Sequence, residues 1–289
     1  GAKGFIDFKK EKPREIDRGR LFEIRVLEGK YEGRCLEAGG DIFDRIFLQE
    51  STKAHEANIC TGLQGLILQT ESFRVVFGKF TYTAESSGEP LANAEYLRSV
   101  NHTGPLFPSH FQGCRRLKRA SLSCHYIPDR CFKQSGLVRV HGAFSAIGCE
   151  AFFGTSLEWV SSGCVYVGEG AFQNCVLLRT LLLHNLKDVP HDLARGCTQL
   201  VKFGGTPYFI GNGAFFQTAV RAVDFSRTKH IGESAFQQSQ LVTVEIQKNT
   251  HIGPRAFAFC AQLKMLVVPG GCTLAKECFK ATGICTLTL

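Results

Sequence analysis

No stretch of this chain approaches 18 consecutive apolar residues, the length at which a segment reads as a membrane-crossing helix, so insertion of that kind is excluded. The phrases that carry common chemistries are missing as well. There is no Gly-Lys-Ser/Thr phosphate loop, no Gly-x-Ser-x-Gly elbow, no His-Glu-x-x-His and no Cys-x-x-Cys pair. His55-Glu56 stands alone. Tryptophan and methionine occur once each. The opening Gly1-Ala2-Lys3-Gly4 is not followed by the apolar core and cleavage site of a secretory leader. We therefore expect an enzyme to be the least suitable reading, with no cofactor and no metal.

What the chain has instead is repetition. It carries 24 Phe and 30 Gly in 289 residues, far more Phe than one Trp and 6 Tyr would lead one to expect. It also carries 13 Cys, an odd number, which fits a paired disulfide framework poorly and points to buried free thiols. The expectation is an intracellular, reducing compartment or organelle rather than an extracellular one, with any address sequence missing from this chain.

The formal charge of +8 is unevenly spread. Residues 1–88 hold 14 Lys+Arg and 14 Asp+Glu, a net of zero, and residues 89–289 hold the remaining 20 and 12, a net of +8. This asymmetry supports a boundary near Gly88 and suggests a partner with an acidic surface.

The phrase Ile-Gly-x-x-Ala-Phe appears at 147–152 and returns, with Val for Ile, at 167–172. It recurs at 210–215, 231–236 and 252–257, with degenerate copies at 127–132, 189–194 and 274–279. Its anchors fall at Phe111, Phe132, Phe152, Phe172, Leu193, Phe215, Phe236, Phe257 and Phe279, at intervals of 20 to 22 residues. A weaker unit fits at Leu91, Ala94, Leu97 and Val100. After each anchor comes a small residue or Cys, then Leu-x-x-apolar-x-apolar, as in Cys175, Leu178, Leu181 and Leu183. That spacing suits one short parallel strand and its lead-in, with alternate side chains pointing inward. One unit of this size cannot bury its own apolar face, but a stack of them can. Cys114, Cys175, Cys197 and Cys260 then share one slot, with Ser135, Thr155, Thr218 and Ser239 in the same place elsewhere. The Gly after Ile is expected to serve a turn with positive φ. Cys124 and Cys131, beside His125, have the look of metal ligands, but Cys131 precedes an anchor as Cys278 does, so the structural role is the expected one.

The recurring phrase Ile-Gly-x-x-Ala-Phe-x-x-Cys-x-x-Leu resembles the BspA-type (Treponema-type) leucine-rich repeat over about residues 89–289. The resemblance implies a curved solenoid and an interaction protein of the kind found on bacterial surfaces and in protists. The Ile-Pro phrase that often follows the strand in that family survives only as Val268-Pro269.

The expected organisation is a charged flexible arm over 1–20, a β-rich head or cap over 21–88 and the solenoid over 89–289. The head shows strand-like pieces at 21–27, 42–49, 65–69 and 73–84. It also holds Cys60, Leu63, Leu66 and Leu68 at the repeat spacing, which suggests one irregular unit.

The outward strand positions are where function is expected. They read Lys118-Arg119, Val138-Arg139, Glu158-Trp159, Arg179-Thr180, Val201-Lys202, Arg221-Ala222, Val242-Thr243 and Lys264-Met265. This ladder holds seven cations against one acid, and also the only Trp and Met. Arg and Trp are typical anchors of protein interfaces. The candidate partner-binding residues are Lys118, Arg119, Arg139, Trp159, Arg179, Lys202, Arg221 and Lys264. The leading expectation is a non-enzymatic scaffold, a subunit of a larger assembly, that binds protein. A cell-surface adhesin and a nucleic-acid-binding component of a ribonucleoprotein are the alternatives. The last is weakened by the scarcity of outward aromatics for base stacking.

Overall fold

The computed structural model describes residues 105–288 throughout, Ala92 and Asn93, and the strands preceding them from Phe5–Asp7 to Ser99–His102. Of the expected arm over 1–20, Phe5–Asp7 is a strand and the rest lies outside the described residues, as do the expected strand at 42–49, Leu63 and the lead-in at Leu91, Ala94 and Leu97. Val100 of that unit is buried.

The repeats form a parallel β-solenoid of about nine turns. Each coil has three sides. The first is a short strand, such as Arg139–His141, Trp159–Ser161 or Thr180–Leu182. The second is a two-residue strand that ends in the Ile or Val of the phrase, such as Ala146–Ile147 or His230–Ile231. The third is a turn carrying the anchor. Within each run of paired coils both strand sides pair in parallel and in register with the next, as Arg119 does with Arg139 and Ile231 with Ile252.

The turn side is the most regular of the three. Alternate residues there adopt different roles. Arg130, Phe132 and Gln134 donate their N–H groups to Cys149, Ala151 and Phe153 of the next coil, at 2.9, 2.8 and 2.7 Å. Cys131, Lys133 and Ser135 donate backward within their own turn. The same three-bond pattern joins every adjacent pair of turns from 109–113 through to 276–280. Alternation needs two left-handed residues per turn, four positions apart: Arg130 and Gln134, Glu150 and Gly154, Ser234 and Gln238. A non-glycine residue in that region costs about 1–2 kcal/mol. A complete set of backbone hydrogen bonds offsets it, because a buried orphan N–H is costly.

These left-handed positions correct the role expected for the Gly after Ile. Gly148, Gly168, Gly211, Gly232 and Gly253 are not among the positive-φ residues. They are small because the preceding coil lies against them. A Cβ on Gly211 would sit 2.6 Å from His191 N, and one on Gly253 would sit 2.8 Å from Glu233 N. The same closeness lets Gly148 N reach Ile127 O at 2.7 Å and Gly232 N reach Ile210 O at 2.8 Å.

Phe rings fill the core in two stacks. Phe111, Phe132, Phe152 and Phe172 lie 5.3–5.5 Å apart with ring planes within 20°. Phe215, Phe236, Phe257 and Phe279 repeat this at 5.2–5.4 Å. Between the stacks the anchor register differs from the sequence reading by one residue. Ala194, not Leu193, makes the anchor hydrogen bond, to Ala214 O at 2.8 Å. The usual Ala-Phe pair is here Leu193-Ala194, so the bulk moves to the neighbouring slot. Phe203 from the adjacent strand packs edge-on to Phe215 at 4.8 Å beside this gap.

The thiol slot is real and has a purpose. Cys175, Cys197 and Cys260 each donate S–H to the anchor carbonyl of the preceding coil, Phe152, Phe172 and Phe236, at 3.0 Å. Thr218 meets Phe215 O at 2.9 Å. Burial pushes the Cys197 and Cys260 thiols up, so they stay protonated donors. The eleven cysteines from Cys114 to Cys285 are free.

Upstream, Asn58–Gly62, Gly65–Gln69, Arg74–Phe77 and Thr81–Ala84 form an antiparallel meander. Its last strand pairs in parallel with Ser99–His102, which continues into Arg119–Leu122. Cys60, Leu66 and Leu68 therefore lie on a hairpin. Phe22–Val26 pairs with Tyr31–Cys35 antiparallel and with Phe5–Asp7 in parallel.

Candidate functional site

In-register coils convert a single sequence position into a column on the surface, with neighbouring strands about 4.8 Å apart. Lys118, Arg119, Arg139, Trp159, Arg179, Lys202, Arg221 and Lys264 are all exposed on the main strand side. They fall in two adjacent columns. Arg119, Arg139, Trp159, Thr180, Lys202, Ala222, Thr243 and Met265 make one, tied by the pairs Arg119–Arg139, Trp159–Thr180–Lys202 and Thr243–Met265. Lys118, Val138, Glu158, Arg179, Val201, Arg221, Val242 and Lys264 make the other, linked backbone to backbone from coil to coil.

Trp159 is 54 % exposed, and Val201, Val242 and Met265 are exposed with it. The surface therefore mixes cations with apolar side chains. Among the described residues no carboxylate pairs with Arg119, Arg139, Arg179, Lys202, Arg221 or Lys264. Lys118 differs, because its Nζ donates to Gly136 O at 3.3 Å and bends toward the next coil.

The main sheet is not continuous beneath these columns. It is interrupted between Arg139–His141 and Trp159–Ser161, and again after Ala222, which makes only an isolated bridge to Lys202. At the second interruption an open cavity of about 240 Å³ is lined by Ala222, Val223, Asp224, Phe225, Ser226, Thr243, Glu245 and Gln247. Hydrogen bonds from Ser226 hold the Asp224 carboxyl below its ordinary pKa. The sequence signal for this cavity is the shortened unit Val220, Val223, Phe225, which reads as a normal strand and is not one.

A second set of columns escaped the sequence reading. On the two-residue strands the residue before each Ile, Val or Leu points outward: Tyr126, Ala146, Tyr166, Asp188, Phe209, His230, His251 and Thr273. Phe209 and His230 stack at 4.8 Å, and His230 and His251 at 5.0 Å. Partial burial, then His251 and His191, hold His230 below its ordinary pKa. Among the described residues no group of three or more His, Cys, Asp or Glu is arranged to hold a metal, and no helix is long and apolar enough to cross a membrane.

The BspA type leucine-rich repeat region matches this chain in six copies, over residues 125–204 and 201–289. The chain belongs to the BspA-type leucine-rich repeat family. This family and its fold are typically non-enzymatic. No curated protein matches the chain. Among solved structures, a leucine rich cell surface protein from Faecalibacterium prausnitzii A2-165 is similar at 16 % identity, covering 77 % of this chain and 94 % of its own, with a TM-score of 0.41. A leucine-rich repeat protein from Bacteroides ovatus ATCC 8483 is similar at 20 % identity, covering 72 % of this chain and 57 % of its own, with a TM-score of 0.45. One from Eubacterium ventriosum ATCC 27560 has 12 % identity, coverages of 77 % and 94 %, and a TM-score of 0.33.

The intracellular location expected from the thiols does not stand. The BspA-type family match points outward instead. The physical reason the expectation fails lies in the thiol slot. Those Cys are retained as buried hydrogen-bond donors, and burial shields them from an oxidising medium, so their number says little about compartment.

Proposed function

We propose that this BspA-type repeat chain is a non-enzymatic interaction module working at the cell surface, an accessory subunit of a larger assembly that engages the acidic surface of a protein partner. The observation that carries this reading is the pair of outward columns. Six cations stand there without a carboxylate partner among the described residues, around an exposed Trp159 and a few apolar neighbours. Such a surface suits an acidic partner, because electrostatic match speeds encounter and sets register. The single Trp supplies the large, stiff side chain that anchors such interfaces.

A cell-surface adhesin is the second reading, favoured by the family and by the Faecalibacterium protein described as a cell surface protein. It uses the same columns on a different partner. Nucleic acid fits less well, because the two columns offer one aromatic residue for stacking.

Capture of partners from intact cells by the full chain, followed by mass spectrometry, tests the proposal. Trp159→Glu with Arg139→Glu should lose the captured protein while the circular dichroism spectrum stays unchanged. Trp159 is the only tryptophan, so its fluorescence reports engagement directly. Retention of the partner by the double variant refutes this surface as the site.

A further inference from the structure

On the second strand side, Tyr126, Ala146 and Tyr166 occupy the same register position in three successive coils. The two tyrosines are 49 % and 55 % exposed, and the alanine between them is half-buried. The rest of the molecule shows what planar side chains do in such a column. They stack one per coil, at 4.8 and 5.0 Å through Phe209, His230 and His251. At Ala146 the column lacks its ring. Two strand spacings separate the tyrosines, about 9.6 Å, which leaves room for one planar group stacked on both.

The charge beside this slot identifies the group. Three residues along, the next column reads Asp129, Cys149 and Glu169. Asp129 Oδ1 accepts the Cys149 N–H at 2.8 Å, which fixes its carboxylate between the two coils. Asp129 and Glu169 have no cation partner among the described residues, whereas Glu150 is already paired with Arg130 and Lys133. Partial burial first, then Asp129, Tyr166 and Cys149, push the Tyr126 phenol up. These groups therefore feel one another, and the local field is negative on a chain whose overall charge is positive.

We propose that the Tyr126–Ala146–Tyr166 slot receives an arginine side chain of a protein partner, its guanidinium plane between the two rings and its N–H groups directed at Asp129 and Glu169. A guanidinium is the group that is at once planar, cationic and a donor along its edge. A neutral aromatic ring would leave the carboxylates unanswered, and a lysine ammonium would not fill a flat slot. The inference is independent of the basic columns, which lie on another side of the coil.

The test is calorimetric titration of the full chain with acetyl-Gly-Gly-Arg-Gly-Gly-amide and with its citrulline twin, which is equally flat but uncharged. Saturable binding of the arginine peptide, about tenfold or more tighter than the twin, is expected from the cation–π contribution of two rings and the carboxylates. Tyr166→Ala should weaken it about fivefold, and Tyr166→Phe should not. Ala146→Tyr should insert the missing ring and abolish binding, with the melting temperature kept or raised. If that variant fails to fold, Tyr166→Ala still decides. Equal binding of the two peptides, absence of saturable binding, or full binding by a folded Ala146→Tyr chain overturns the proposal. A preference for methyl pyranosides over the peptide overturns it too. Trp159→Glu with Arg139→Glu should leave the titration unchanged, so this site and the basic surface fail separately.

Discussion

Replacing Gly232 by alanine puts a methyl group where the preceding coil already has backbone. The new Cβ would sit 2.7 Å from Asn212 N and 2.8 Å from Gly211 C, and neither atom can rotate away. Relief requires the two coils to part locally, which lengthens the 2.8 Å bond from Gly232 N to Ile210 O. Overpacking of this kind costs about 1–3 kcal/mol, and weakening one buried backbone hydrogen bond adds about 1 kcal/mol. The position is not closed to side chains, since Pro128, Pro190 and Ala275 occupy it in other coils, and Ala275 N still reaches Ile252 O at 2.9 Å. The expected loss is therefore about 2–3 kcal/mol and not collapse. Urea unfolding followed by far-ultraviolet circular dichroism measures it. Gly270→Ala is the control, because nothing lies within 4 Å of its added methyl. It should be neutral or stabilise by about 0.5 kcal/mol. Gly232→Asn separates the two explanations for the glycine. Asn tolerates left-handed backbone, so a positive-φ requirement makes Asn better than Ala. The close approach of coils makes Asn as poor as Ala or poorer. An alanine variant as stable as the parent, or an asparagine variant clearly better than alanine, refutes the reasoning.

Two further predictions concern single side chains. His110 is fully buried beside His102, with ring centroids 5.3 Å apart, and burial followed by the charge of His102 lowers its pKa from 6.5 to about 4. Its folded value lies below its unfolded one, so its contribution is intact at pH 6.5 and above. It is lost as pH falls toward 4, by about 3 kcal/mol in all. The urea midpoint followed from pH 7 to pH 4 should fall accordingly, and His110→Leu should flatten that fall. Phe259 is an exposed aromatic held at φ 59°. Phe259→Asn should raise stability by about 1 kcal/mol in the same assay, by relieving left-handed strain while exposing less apolar surface. A loss on this substitution would show that the Phe259 ring is doing packing work.

The solenoid was legible because its core repeats. A slot filled by Phe in coil after coil, with Cys, Ser or Thr three residues on, leaves a mark in the sequence that composition alone cannot hide. The exposure of the eight basic and aromatic candidates followed from the same periodicity. Four things did not follow. Smallness at Gly232 is visible in a sequence, but whether it serves a torsion or a neighbour is not. The exchange of Ala-Phe for Leu193-Ala194 keeps an apolar pair and so disguises a shift of one residue. The Tyr126–Ala146–Tyr166 slot had a signal, the residue just before each Ile-Gly, yet its meaning lies between coils and depends on which side chain is missing. The broken strand at Val223 keeps its apolar spacing, so nothing in the pattern announces that its hydrogen bonds are gone.

The unbroken seam of left-handed turns has a mechanical consequence. Sheets are ordinarily the stiff members of a β-solenoid, but here the main sheet is cut into three blocks, while the turns keep three hydrogen bonds at every joint. Tension applied along the axis is then borne chiefly by the turns, and the sheet side opens first, after His141 and again at the Ala222 cavity. The stack behaves as a hinged strap, continuous along one edge and slotted along the other. Its cationic columns ride on the slotted edge, where they can follow a partner that is not straight.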